Sequence, residues 1–128
     1  MSARTDSKTV AVIGANADRN RFGNKAVRAF ASKGYTVYPV HPDLAEVEGM
    51  KCYPSIEQVP SRPCVVSVYL SPPRLLNVLP QIAGRGCDEL WLNPGTDTPD
   101  VVATAERLGL KTFQTCSILA VGLSPFDL

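Results

Sequence analysis

The stretch AVIGANADRNRFGNKAVRAF, residues 11–30, carries the main indication of the fold. It overlaps an apolar run, Thr9–Ile13, that is typical of a strand buried on both faces and that ends at Gly14. From residue 24 to residue 33, apolar side chains recur on one helical face, namely Ala26, Val27, Phe30 and Ala31. The pattern predicts a buried strand, a glycine turn and an amphipathic helix.

The alternation of strand and helix continues along the chain. Short apolar, β-branched runs predict further strands at residues 35–40, 64–70, 89–92 and 111–114, with helical patterns between them. This rhythm predicts an α/β fold: a Rossmann-like, doubly wound, mainly parallel five-stranded sheet with helices on both faces. Pro80 conflicts with the second helix, so we expect a kink there or a helix in two pieces. A brief edge element predicted at residues 51–53 would expose a sheet edge, through which two copies of the chain could pair as a homodimer.

Composition narrows the class of protein. Of the 128 residues, 45% are apolar, which is enough for one core, so we expect one domain over residues 1–128 with residues 1–8 flexible. Lys and Arg number 13 against 12 Asp and Glu, without the basic surplus of a nucleic-acid binder. No apolar run approaches the roughly 18 residues of a membrane span, and the N-terminus lacks the apolar core of a secretory signal. We therefore expect a cytoplasmic protein that has neither nucleic acid nor a membrane as a partner.

The cysteines indicate neither a zinc site nor a nucleophile. They are widely spaced, no two form a CxxC pair, and their positions are Cys52, Cys64, Cys87 and Cys116. With a single histidine, His41, this spacing favours reduced cysteines and no metal site. A nucleophilic Cys116 needs an adjacent base, and nothing in the sequence brings His41 to it, so we assign no catalytic residue.

The predicted topology locates a binding site at one edge of the sheet. Doubly wound sheets bind ligands beyond the carboxyl ends of their strands, where the strand order reverses. That rule selects five turns, which are residues 14–21, 41–43, 71–74, 93–97 and 115–117. The turns are rich in Gly, Pro, Ser, Asn and Thr, whose exposed amides and small hydroxyls suit an extended polar ligand.

The first of these turns has features of a phosphate site. Gly14 lets the backbone approach a ligand, and the next helix directs free N–H groups and its positive dipole end there. Arg19 or Arg21 can add a charge-assisted contact, and Arg21 is closer to the helix start. The GxGxxG pattern is incomplete, because the next glycine is Gly23, so a ligand-free structural turn stays open. We expect Gly14→Val to block the approach of a ligand while leaving the fold largely intact.

The end of the second strand bears on the kind of nucleotide. NAD sites usually place Asp or Glu at this strand tip, whereas here His41 and Pro42 follow the strand and Asp43 lies past the proline. A histidine tolerates a phosphate on the ribose, although His41 is equally well explained as a partly exposed loop residue. A small NAD(P)-binding oxidoreductase or redox sensor is therefore the alternative function.

Six blocks of the sequence resemble the CoA-binding domain family, the small stand-alone proteins similar to the N-terminal domain of the succinyl-CoA synthetase α subunit. They are VAVIGAN with Arg21 downstream, GYTVYPVHP, GMKCYPSIEQVP, VVSVYLSPP, ELWLNPGTDTPDVVATAERLGL and a late Cys116. The resemblance implies a Rossmann-like domain that binds coenzyme A or an acyl-CoA along the carboxyl edge of the sheet. It supports binding, without an evident catalytic apparatus.

The same resemblance implies which turns contact coenzyme A. The pyrophosphate contact is implied for the first-turn residues Gly14, Ala15 and Asn16. The block beside the adenosine comprises Pro39, Val40, His41 and Pro42. Contacts from the later turns are implied for Ser71, Pro72, Asn93, Pro94, Gly95 and Cys116. Many relatives carry Asn-Pro in place of His41-Pro42, so the histidine is a departure from the family pattern.

Overall fold

Seven strands are present in the computed structural model, which describes residues 8–128. In chain order they are β1 (Thr9–Ile13), β2 (Thr36–Val40), β3 (Glu46–Val47), β4 (Met50–Lys51), β5 (Val65–Val68), β6 (Glu89–Leu92) and β7 (Thr112–Gln114). Five of them form one parallel sheet in the order β2-β1-β5-β6-β7, and β3 and β4 form an antiparallel ribbon. Apart from Lys8, the stretch 1–8 that we expect to be flexible lies outside the described residues.

Along residues 8–128, four helices connect and cover the strands. They are α1 (Phe22–Ser32), α2 (Pro72–Arg85), α3 (Pro99–Arg107) and α4 (Ser117–Ala120), with short 3-10 turns at Ile56–Gln58 and Pro125–Asp127. α2 runs unbroken through Pro80, so of the two expected outcomes the helix in two pieces is wrong, and the kink stays a prediction. Pro80 is exposed, and water can bond the carbonyl that the missing N–H leaves free. Within residues 8–128 no helix is long and apolar enough to cross a membrane.

Both faces of the sheet are covered, which confirms the predicted doubly wound α/β architecture. Along β1, Ala11 and Ile13 pack on the side of α2 and α3, whereas Val10 and Val12 pack on the side of α1. This alternation explains why β1 reads as a continuous apolar run rather than as an alternating one. Ala31, which the helical pattern assigns to the buried face of α1, is exposed.

The carboxyl ends of the five parallel strands lie in one row. The register pairs Val40 with Ile13, Ile13 with Val68, Val68 with Leu92, and Leu92 with Gln114. From β1 the chain crosses first to β2 on one side and later to β5 on the other, so the switch point lies between β1 and β5. The turns after these two strands, which begin at Gly14 and Tyr69, therefore flank the crevice where such sheets bind ligands.

The segment at residues 51–53 lies against the outer edge of β2 and is not a separate free edge. The Tyr53 amide donates to the Pro39 carbonyl at 2.9 Å, and the His41 amide donates to the Tyr53 carbonyl at 3.0 Å. These bonds cover the carboxyl end of β2. The homodimer that we associated with this segment stays a prediction.

Candidate functional site

Two glycines let three chain segments meet at the switch point. A Cβ on Gly14, which has a φ of +90°, would lie 2.3 Å from the carbonyl oxygen of Tyr69. A Cβ on Gly23 would lie 2.1 Å from the carbonyl oxygen of Gly14. Gly23 therefore provides the close helix–strand approach that the last glycine of a GxGxxG motif provides, although its spacing differs from that motif.

The backbone amides at the end of β1 are already bonded. The amides of Gly14 and Ala15 both donate to the Val40 carbonyl, at 3.1 and 3.3 Å. The amides without a helical partner are instead those at the start of α1, which belong to Phe22 and Gly23. An anion at this turn would therefore meet the N-terminus of α1 rather than the amides of Gly14 and Ala15.

Hydrogen bonds from side chains hold the loop between β1 and α1. Asn16 Oδ1 accepts the Asp18 amide at 2.8 Å, and Asp18 Oδ1 accepts the Asn20 amide at 2.9 Å. The buried Asn24 donates through Nδ2 to the Asn16 carbonyl at 2.9 Å and to Glu48 Oε2 at 3.0 Å. The loop is thereby tied to α1 and to the tip of the β3–β4 ribbon.

The two arginines of this loop have different surroundings. Arg19 forms an ion pair with Glu48 at 3.0 Å and lines none of the cavities described below. Arg21 immediately precedes α1, its side chain is 73% exposed, and its nearest carboxylate is Asp18 at 3.9 Å. Arg21 is thus the cation available to a ligand at this turn, whereas Arg19 is bound by the ribbon.

A groove of three adjoining cavities follows the carboxyl edge of the sheet. The first-turn cavity, about 330 Å³, is lined by Gly14, Asn16, Arg21, Phe22, Gly23, Tyr69, Leu70, Pro94, Gly95 and Thr96. The β2-side cavity, about 360 Å³, is lined by Ile13, Gly14, Val40, Pro42, Pro54, Ser55, Ile56, Leu70, Arg74, Asn77, Val78 and Gln81. The Cys116 cavity, about 170 Å³, is lined by Phe22, Tyr69, Asn93, Pro94, Cys116 and Pro125. The first-turn cavity shares lining residues with both neighbours and therefore lies between them.

Only half of the second-strand block lines the groove. Val40 and Pro42 line the β2-side cavity, whereas Pro39 is buried in β2 and bonded through its carbonyl to Tyr53. The ring of His41 is turned toward the following loop, where its Nδ1 accepts the Asp43 amide at 3.0 Å. His41 is absent from the lining of all three cavities.

After β5 the groove is lined two residues earlier than the sequence predicts. Tyr69 and Leu70 line it, whereas Ser71 and Pro72 do not. Because Tyr69 and Leu70 are apolar, the sequence predicted a strand that continues to residue 70, whereas β5 ends at Val68. Arg74 and Thr96, which lie in two of the five predicted turns, also line the groove. Further lining residues that lie outside those turns are Ile13, Phe22, Gly23, Pro54, Ser55, Ile56, Asn77, Val78, Gln81 and Pro125.

Asn93 joins three elements beneath the groove. Its Nδ2 donates to Ser67 Oγ at 3.1 Å and to the Val68 carbonyl at 2.9 Å, while its Oδ1 accepts the Ser117 amide at 2.8 Å. The side chain is buried and its amide bonds are in use, so its role is to hold β5, β6 and the start of α4 together. Pro94 and Gly95, which follow it, line the first-turn cavity.

Tyr69 contributes an unusual hydroxyl to the wall between two cavities. The oxygen is buried near the hydroxyls of Ser67 and Ser117, but among residues 8–128 it forms no well-aligned hydrogen bond. Burial raises the pKa of Tyr69 to about 12, so the phenol stays neutral at physiological pH. The chemistry of the groove is thus a cation and helix N-terminus in its middle, with uncharged walls toward Cys116. Within the described part of the chain, no cluster of three His, Cys, Asp or Glu could hold a metal ion.

The fold and the groove define a Rossmann-like domain with an extended cleft at its switch point, a class that binds nucleotides and related ligands. The chain belongs to the CoA-binding domain family, whose sequence pattern, described as a CoA binding domain, matches residues 8–122.

Similar proteins include both a long enzyme and short chains. The chain is 29% identical over 115 residues to the ADP-forming acetate–CoA ligase I of Archaeoglobus fulgidus, a match that covers 81% of this chain and 17% of the ligase. It is 25% identical over 89 residues to the uncharacterized protein YneT of Bacillus subtilis, covering 70% of this chain and 66% of YneT. A solved hypothetical protein from Pyrococcus horikoshii OT3 has a TM-score of 0.82 and 29% identity, covering 90% of this chain and 82% of that one. The chain thus spans less than two thirds of the length of its curated relatives.

Proposed function

We propose that this domain binds coenzyme A or an acyl-CoA in the groove at the carboxyl edge of the sheet, as a binding module without its own catalytic apparatus. The observation that carries the proposal is the order of the three cavities, with the cationic helix start in the middle and less polar space on both sides. Coenzyme A has the same order of parts: an adenosine, a pyrophosphate and a branched amide arm. Membership of the CoA-binding domain family supports this ligand.

The first-turn cavity is the proposed pyrophosphate site. The first amides of α1 belong to Phe22 and Gly23, and both residues line this cavity. An 11-residue helix also brings the positive end of its dipole there, which favours an anion. Arg21 adds an exposed cation whose ion-pair partner, Asp18, is itself exposed and lies 3.9 Å away, so a phosphate can displace that carboxylate.

The β2-side cavity is the proposed adenosine site. Its apolar lining from Val40, Ile56, Leu70 and Val78 suits the faces of an adenine ring. The amide side chains of Asn77 and Gln81, together with Ser55, line the same space and can bond the ring nitrogens. A pocket of this kind combines apolar contact area with a few directional polar groups.

The Cys116 cavity supports coenzyme A over a nicotinamide dinucleotide. Beyond its pyrophosphate, coenzyme A continues as a carbon that bears two methyl groups, whereas NAD continues as a ribose with two hydroxyls. The cavity next to the proposed pyrophosphate site is walled by Phe22, Pro94 and Pro125, and Asn93 has its amide bonded elsewhere. Methyl groups gain from burial here, whereas ribose hydroxyls would lose their hydrogen bonds to water.

Calorimetric titration with coenzyme A, ADP, NAD⁺ and NADP⁺ tests the proposal. We expect coenzyme A to bind more tightly than ADP, because only coenzyme A carries the arm that fills the Cys116 cavity. We expect NAD⁺ to bind more weakly than coenzyme A, because the hydroxyls of its second ribose would lose hydrogen bonds to water in the Cys116 cavity. Absence of binding at millimolar coenzyme A, or tighter binding of NAD⁺, would overturn the proposal.

We also propose a cytoplasmic protein whose partner is a small molecule rather than a nucleic acid. The net charge of +1 supports this, because a phosphate backbone is bound through a surplus of Lys and Arg. The assignment of residues 1–128 to one domain belongs to the same proposal.

A further inference from the structure

We infer that Arg74 binds a phosphate group on the ribose of the nucleotide, and thereby selects coenzyme A, with its 3′-phosphate, over dephospho-coenzyme A. The inference rests on the proposed function, because it requires the adenosine to occupy the β2-side cavity. It adds a specificity-determining residue that the sequence blocks did not include.

The charge distribution of the β2-side cavity singles out Arg74. Among the described residues that line this cavity, it alone is charged, and none of them carries a carboxylate. Within residues 8–128, ion pairs bind Arg19, Arg21 and Arg62, but none binds Arg74. Its guanidinium is therefore an uncompensated cation beside a space of about 360 Å³. A guanidinium in that position pairs most strongly with a phosphate, through two parallel hydrogen bonds.

The opposite wall of the cavity lacks the group that would reject a phosphate. Where NAD sites place a carboxylate for the ribose hydroxyls, this chain has Val40 and Pro42 on the lining. His41, which we expected to accommodate a ribose phosphate, has its Nδ1 occupied by the Asp43 amide and does not line the cavity. The cation for such a phosphate thus comes from α2, across the cavity from β2.

The position of Arg74 is fixed by the packing of α2. Arg74, Asn77, Val78 and Gln81 are spaced by three or four residues, so they share one face of the helix, and that face lines the cavity. On the neighbouring face, Leu75 and Leu79 are fully buried in the core and hold the helix in place. Arg74 lies in the first turn of this 14-residue helix, where the dipole adds to the attraction of an anion.

A thermodynamic cycle with two ligands that differ only in the 3′-phosphate tests this inference. Coenzyme A and dephospho-coenzyme A are titrated calorimetrically into the natural protein and into Arg74→Gln. We expect the natural protein to prefer coenzyme A by about 10- to 100-fold, as a charge-assisted contact predicts. We expect Arg74→Gln to lose most of this preference while its affinity for dephospho-coenzyme A is unchanged. Arg74 is exposed and makes no ion pair within the described residues, so folding should be unaffected.

The matched control is Arg107→Gln on α3, which is exposed and lines none of the three cavities. It removes the same charge and should leave both affinities unchanged. An equal loss for both ligands in Arg74→Gln would show that the arginine contacts another part of the nucleotide, and would overturn the inference. A preference for coenzyme A over dephospho-coenzyme A that survives in Arg74→Gln would also overturn the inference. Tighter binding of NADP⁺ than of coenzyme A would overturn it as well, because the site would then prefer a 2′-phosphate. If neither coenzyme A nor its dephospho form binds the natural protein, the proposed function itself has failed.

Discussion

Gly14 packs directly against the backbone of Tyr69, so closely that a side chain at Gly14 would place its Cβ 2.3 Å from the Tyr69 carbonyl oxygen. The contact joins the end of β1 to the end of β5 at the switch point of the sheet. Gly14 also has a φ of +90°, which an L side chain rarely adopts. The glycine is therefore required by the fold itself, and the expectation that Gly14→Val leaves the fold largely intact is wrong.

Gly14→Ala should lower the free energy of unfolding substantially more than Gly34→Ala. Both positions have a positive φ, but a Cβ on Gly34 has nothing within 4 Å. Each substitution carries a backbone cost of about 1–2 kcal/mol, and Gly14→Ala adds about 1–3 kcal/mol for the forced contact with Tyr69. Urea unfolding of the two variants measures the difference. Equal destabilisation would mean that β5 moves away from β1 at no cost.

Arg21→Gln should weaken coenzyme A binding by about 1–3 kcal/mol, whereas Arg19→Gln should change it little. Arg21 lines the first-turn cavity, and Arg19 is held by Glu48 outside it. Calorimetry at low and high salt measures both effects, and the loss in Arg21→Gln should shrink as salt screens the contact. The two variants remove the same charge two residues apart, so net charge is controlled. A larger loss in Arg19→Gln would show that the ligand draws Arg19 away from Glu48.

The sequence predicted the sheet well because the signal for buried parallel strands is local. The residues from Val10 to Ile13 are apolar at every position, Thr9 is buried with them, and the run Thr9–Ile13 coincides with β1. Gly14 and α1, which follow β1, then indicate that the carboxyl edge of the sheet is the edge at which a ligand would bind. The topological rule therefore located the groove, although it could not identify every residue that lines the groove.

The sequence could not show contacts between segments far apart in the chain. Arg19 and Arg21 look alike in the loop, and only the ion pair to Glu48, 29 residues away from Arg19, separates their roles. The stripe of Arg74, Asn77 and Gln81 has a visible helical spacing, but such a stripe usually marks a solvated face. Its role depends on the walls formed opposite it by Pro42 and Ile56.

Tyr69→Phe should change the free energy of unfolding by less than about 1 kcal/mol, because the buried hydroxyl lies near Ser67 and Ser117 but forms no well-aligned hydrogen bond with either. Tyr38→Phe is the matched control, since the Tyr38 hydroxyl pairs with Ser61 Oγ at 3.1 Å. That variant should lose about 0.5–1.5 kcal/mol. Thermal and urea unfolding measure both variants. A clear loss in Tyr69→Phe would show that the hydroxyl is bonded in solution, for example through an ordered water.

The same hydroxyl should make the stability of the protein sensitive to alkaline pH. Burial raises the pKa of Tyr69 from 10.0 to about 12, so the neutral phenol is favoured in the folded state. Its contribution is complete below pH 10 and is lost as the pH rises toward 12. Between pH 10 and pH 12, the free energy of unfolding should fall more steeply for the natural protein than for Tyr69→Phe. Parallel curves would contradict the assignment.

Coenzyme A should protect Cys116 from alkylation, because the proposed path of its arm crosses the Cys116 cavity. With coenzyme A at about ten times its Kd, iodoacetamide labelling of Cys116 should slow by about tenfold, since about a tenth of the protein is then free. Cys64 is the control, because it precedes β5 at the amino end of the sheet, away from the groove. Burial raises the pKa of its thiol, so its labelling is slow, and coenzyme A should not change that rate. ADP, which lacks the arm, should leave Cys116 reactive. Peptide mass spectrometry measures each rate, and equal slowing at both cysteines would indicate general stabilisation of the fold instead of coverage of the cavity.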